Sequence, residues 1–201
     1  MLRTITCLLL ALLLGGCSDD SQPSAAERQL LLTGADFGYG EDAGYFGKTT
    51  TYWTRTTDLS YDSEPLSGLY LHSTVSLTPS AGEALMASYS SLQGAGIALG
   101  LLGEGVTEEE IELTRKLGSH AKLVLLRKDG EPIGNMFSVS IGKKILFTVF
   151  TGGHYFDSGA EFEAFIAPKL AALEAHQYDD PIVGWGKGLF ADEDDGEQEV
   201  H

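Results

Sequence analysis

The sequence predicts an α+β fold: an antiparallel sheet of about five strands with helices packed on one face. Three observations predict it. Apolar residues alternate in short runs, as Leu69, Leu71, Val75 and Leu77 do in GLYLHSTVSL. The long run KLVLLRKDGEPIGNMFSVSIGKKILFTVFTG breaks at Asp129-Gly130 and Gly142-Lys143, both turn signals between strands. Three further segments open with Ser or Thr and carry Glu three residues later, the signature of a capped helix start.

The elements follow in order. The Thr- and aromatic-rich TTTYWTRTT is a strand signal, and GLYLHSTVSL is the next. Ser80-Ala81-Gly82-Glu83 opens a helix with Leu85, Tyr89 and Leu92 at helical spacing. Thr107-Glu108-Glu109-Glu110 predicts a second, short helix, with Val106 and Ile111 as its hydrophobic staple. Its three glutamates suit the positive end of a helix, Arg115 and Lys116 the negative end, and Gly118 the stop. Three strands come next, with Phe137, Val139 and Ile141 facing one way, and Phe147 sharing a face with Val149. Ser158-Gly159-Ala160-Glu161 begins the last helix, whose stripe is Phe162, Phe165, Ile166, Leu170 and Leu173. Pro168 removes one amide from that ladder and is expected to kink it. In element order the pattern resembles the PsbP/Mog1-like folds, several of which occur in bacterial envelope lipoproteins. Element order carries no function with it.

The first sixteen residues are a different kind of sequence. Arg3 is the sole charge before a run of mostly apolar residues from Ile5 to Leu14, and Gly15 and Gly16 follow. That is the composition of a secretory signal peptide, and the run is too short to span a bilayer, which takes about 20 apolar residues. Leu14-Gly15-Gly16-Cys17 resembles the lipobox of bacterial lipoproteins. The resemblance implies cleavage before Cys17, a diacylglycerol on its thiol and an acyl chain on its new amine. Two or more chains hold a protein on a membrane stably, at about 0.8 kcal/mol for each buried methylene. It also implies a cell-envelope protein facing the periplasm. Ser18 rather than Asp directly after Cys17 favours the outer membrane under enterobacterial sorting rules. Cys7 leaves with the leader, so no disulfide is available to the mature chain.

Four regions are expected: the signal peptide 1–16, lipidated Cys17 with a flexible tether over 17–32, a single α+β domain over 33–180, and a tail over 181–201. With 29 acidic residues against 13 basic ones, the chain is an unsuitable partner for nucleic acid or anionic headgroups. The tail is apolar and then acidic. Ile182, Val183, Trp185, Leu189 and Phe190 are the candidate partner-binding residues, ahead of six acids within ADEDDGEQEVH. They either fold back on the sheet or dock on an envelope protein, with the acids steering towards a basic groove.

Other motifs fail on context. Ser140-Ile141-Gly142-Lys143 matches S-x-x-K, but it sits at a strand turn with no K-T-G downstream. Gly94-Ala95-Gly96 follows a helix signal, not a strand, so it is no nucleotide loop. The same stretch reads as a buried connector or as an apolar lid formed by Ile97, Leu99, Leu101 and Leu102 over a lipid-like ligand. His154 stands near Asp157 after two glycines, where a strand-to-helix turn is expected rather than an acid–base pair. The other histidines lack paired spacing, and no catalytic residue, metal site or cofactor is expected. Phe37, Tyr39, Tyr45 and Phe46 interleave with glycines and either anchor a loop or stack on glycan. The expected function is a membrane-anchored, non-catalytic interaction or assembly module, with a carrier or sensor of an apolar ligand as the alternative.

Overall fold

A computed structural model of the chain describes residues 18–40, 43–63, 68–100 and 105–181. The strands are β1 (Ser18–Ser21), β2 (Gly44–Thr51), β3 (Thr56–Ser63), β4 (Tyr70–Leu77), β5 (Val106–Ile111), β6 (His120–Lys128), β7 (Glu131–Ile141) and β8 (Lys144–Thr151). Three α-helices accompany them: α1 (Ala25–Arg28), α2 (Ala81–Gly100) and α3 (Gly159–Ala175). All eight strands join one antiparallel sheet in the order β1-β2-β3-β4-β8-β7-β6-β5. The fold is α+β with an antiparallel sheet, but of eight strands rather than five.

The helices lie on both faces, not one. Phe137, Val139, Leu146 and Phe150 form one core with Phe162, Ile166, Leu170 and Leu173 of α3. The alternate residues Met136, Phe147 and Val149, with Val124 and Leu126, form a second core against Leu92 of α2. Buried Ser88 of α2 meets Ser138 of β7 at 2.7 Å on that second face. Being covered twice, β7 and β8 are buried almost along their whole length, whereas β3 and β4 alternate. Phe137 and Val139 therefore point away from Phe147 and Val149, as period-two geometry requires of the register Phe137↔Thr148.

The short helix expected at Thr107–Glu110 does not form. Those residues are β5, an edge strand whose Ile111 lies opposite Leu123 and packs on the first core. Local capping preference loses to six residues of pairing with β6 and to ion pairs from Glu109 to Arg127 (2.7 Å) and Glu110 to Lys122 (3.3 Å). Charge on an edge strand also discourages further strands from adding to it.

The stretch expected to be a flexible tether, 17–32, is part of the domain from Ser18 onward. Ser18–Ser21 pairs with β2, and Leu30, Leu31 and Leu32 are fully buried. Leu32 donates its amide to Ser73 Oγ (3.1 Å), and Gly34 donates to the Tyr61 hydroxyl (3.1 Å). Three consecutive leucines supply too much apolar surface for a solvated linker; burying each contributes about 1.5–3 kcal/mol.

Both predicted turns hold. Asp129 and Gly130 have φ of 53° and 89°, the pair of left-handed residues that a two-residue hairpin needs. At the start of α2, Glu83 donates its amide to Ser80 Oγ (3.2 Å), while Ser158 caps α3 without a side-chain bond. Helix α3 continues through Pro168 to Ala175. On α2, Leu92 packs on the second core as expected, but Ala84 and Ser88 are the buried residues before it and Tyr89 is exposed. Gly134 lets β7 approach β8, because a Cβ there would lie 1.9 Å from the Phe150 carbonyl oxygen.

Candidate functional site

The open cleft of interest lies at one end of the sheet, on the α3 face, with a volume of about 600 Å³. Its walls come from the two ends of the described chain. One wall is α1 and β2. Ser24 and Glu27 form a complete capping box, with Ser24 donating its amide to Glu27 Oε2 (2.7 Å) and Glu27 donating to Ser24 Oγ (3.3 Å). Lys48 donates to the other carboxylate oxygen of Glu27 (2.7 Å). The facing wall is the exit of α3: His176, Gln177, Asp179 and Pro181. The floor is Leu77 with the Thr50–Thr57 pair, whose hydroxyls are 3.4 Å apart.

Burial and charge set the electrostatics. Burial pushes the Glu27 carboxyl up, but the bonds from Lys48 and Ser24 and the charge of Lys48 outweigh it and hold it below 4.5. Burial pushes the His176 ring below its ordinary range. Beside the cleft, buried Lys144 donates to the carbonyls of Glu174 (3.0 Å) and His176 (2.7 Å), closing the end of α3 where backbone acceptors have no helical partner. The cleft thus offers fixed polar groups already engaged with one another.

The turn from β2 to β3, residues 52–55, forms the rim. Arg55 sits there at φ 57°, a left-handed conformation uncommon for a residue with a Cβ. It is clasped from the α3 exit: its guanidinium pairs with Asp180, and its carbonyl accepts from the Tyr178 hydroxyl at 2.5 Å. Tyr178 also lies under Lys143, whose Nζ is 5.3 Å from the ring centroid. This clasp holds residues 178–180 against the turn.

The sequence-derived candidates divide as follows. Cys17, Ile182, Val183, Trp185, Leu189 and Phe190 lie outside the described residues, as do Leu101 and Leu102. The backbone of Ile97 and Leu99 continues α2, and their side chains are not described. The cleft is lined mainly by polar residues, with Leu77 and Pro181 its aliphatic ones, so it gives an apolar ligand little to bind. His154 does not hydrogen-bond Asp157. Its Nε2 is 3.4 Å from the Tyr39 hydroxyl, and its ring lies edge-on to Phe37 at 5.4 Å. Gly152 and Gly153 (φ 104° and 90°) form the turn that brings it there. Phe37, Tyr39 and Phe46 pack on the core, and Tyr45 is exposed.

Sequence reasoning missed a second polar cluster. On the face that carries α2, the part of the sheet built by β1–β4 is polar: His72 Nδ1 meets Asp62 at 2.6 Å, Ser76 donates to Asp58 at 2.5 Å, and Thr49 to Asp20 at 2.8 Å. The alternation of polar residues in TTDLSYDS and YLHSTVSL was its signal, visible only once β3 and β4 are paired. Among the described residues no group of three or more metal-ligating side chains forms, and no helix is long and apolar enough to cross a membrane. No family model, curated protein or solved structure matches the chain.

Proposed function

We propose that this protein is an envelope lipoprotein, acylated at Cys17, whose domain is a non-catalytic interaction or assembly module on the periplasmic side of the outer membrane. Its partner-binding element is the segment Ile182, Val183, Trp185, Leu189 and Phe190. The observation that supports this reading is the Arg55 clasp. Asp180 and Tyr178 bind Arg55, and Pro181 walls the cleft, so the residues just before the segment are held in place. A linear motif that starts from a fixed point loses less entropy on docking than one on a free tail. The acids after it favour a basic groove on the partner.

The test is in-cell photocrosslinking from position 185 of the intact chain, read by mass spectrometry. One dominant adduct with an envelope protein, lost on deletion of 182–201, is the expected result. Crosslinks confined to the chain itself overturn the docking role and mean that the segment folds back on its own domain.

A further inference from the structure

We propose that the β2–β3 turn is a membrane-contact element that seats the Trp53 side chain in the interfacial layer of the bilayer. The inference rests on the acylation of Cys17 and deepens that reading by fixing how the domain meets the lipid.

The register of β1 ties Cys17 to the turn. Ser18 lies opposite Thr51, and Ser21 opposite Lys48, so β1 read backwards runs towards the turn. Opposed Cα atoms of an antiparallel pair are about 4.5–5.5 Å apart. Cys17 is one peptide unit from Ser18, about 3.8 Å between Cα atoms whatever its conformation. Trp53 is two residues from Thr51, which adds at most about 7 Å. A lipid on Cys17 is therefore attached within a few residues' length of the turn. Because strand pairing begins at Ser18, there is no slack between lipid and domain, and this end of the sheet is held at the membrane surface.

What the turn presents there is an aromatic ring. Trp53 is 87 % exposed, the most exposed large hydrophobic residue described. Tryptophan suits the interface, where an apolar body and a polar N–H find matching surroundings. The contact is not electrostatic: Arg55 is engaged by Asp180, and the chain as a whole is strongly acidic. The occupant this surface fits is thus a lipid interface with neutral or zwitterionic headgroups, entered by the ring.

The experiment uses the acylated full-length protein extracted from membranes, carrying W185F so that Trp53 is the sole tryptophan. It is reconstituted into phosphatidylethanolamine/phosphatidylcholine vesicles with bromine at shallow or deep acyl positions. The expected result is Trp53 emission shifted to shorter wavelength, quenched more by the shallow label, and unchanged by added salt. Vesicle-bound protein whose Trp53 emits as in water and escapes both quenchers overturns the proposal while leaving the anchor intact. Quenching that salt abolishes also overturns it, in favour of a charge contact. Mass spectrometry of the N-terminal peptide reads the anchor separately: an unmodified Cys17 overturns the acylation reading and the membrane contact with it.

Discussion

Asn135 of β7 holds the backbone of Phe156 from both sides: its Oδ1 accepts from the Phe156 amide at 2.7 Å, and its Nδ2 donates to the Phe156 carbonyl at 2.9 Å. The same Nδ2 reaches the Val124 carbonyl at 3.3 Å, and the side chain is completely buried. One amide thereby fixes the connection from β8 to α3, in which His154 and the Phe156 ring sit. That ring packs on Phe165 at 4.8 Å and on Phe162 at 5.5 Å.

Replacing Asn135 by Ala removes three hydrogen bonds and leaves the part-buried N–H and C=O of Phe156 without these partners. The expected cost is about 2–4 kcal/mol, read as a lower urea midpoint at unchanged slope. Asn135→Asp keeps the acceptor for the Phe156 amide and loses the donor, so it is expected to be destabilised too. Equal stability of N135A and the parent would mean that the connection is held by its aromatic packing alone.

Glu163 makes folding sensitive to acid. It is buried and accepts from the Thr114 amide (2.5 Å), the Thr114 hydroxyl (2.7 Å) and the Arg115 amide (3.4 Å). Burial pushes its carboxyl up, but those bonds and the charge of Arg115 outweigh it and hold it below 4.5. A depressed carboxyl contributes stability that is present above the ordinary carboxylate range and is lost as pH falls through the folded-state value. Glu163→Gln is therefore expected to cost about 1.5–3 kcal/mol at neutral pH, with the gap narrowing in acid. Urea midpoints of the two proteins, measured at neutral pH and well below 4.5, check this; parallel curves count against the assignment.

The clasp on Arg55 contributes little to stability. Arg55 is well exposed, and exposed ion pairs contribute about 0–1 kcal/mol. Glycine accepts the left-handed backbone at this position without strain. The Arg55→Gly, Tyr178→Phe double variant should thus keep its melting temperature to within a few degrees, while amides 177–180 exchange faster. Unchanged exchange there would show that the cleft wall is held by packing instead.

The sequence by itself determined the strands from Tyr70 to Leu77 and from His120 to Thr151, the hairpins at Asp129-Gly130 and Gly142-Lys143, and the core stripe of α3. These are local facts: period two, period 3.6 and turn chemistry act within a few residues. Thr107–Glu110 shows the limit, since the same residues cap a helix in isolation and pair as an edge strand when β6 lies beside them. The position of α2 on the opposite face from α3 is another non-local fact, decided by which parity of β7 and β8 each helix covers. So is the cleft. Its walls join Glu27 to His176 across most of the chain, and no sequence spacing encodes a contact that exists only when both ends meet at one edge of the sheet. Leu30–Leu32 fall in the stretch read as a tether, and only tertiary packing placed them in the core and drew Ser18 up against Thr51. Burial is a property of what surrounds a residue, and that is settled only when distant strands pair.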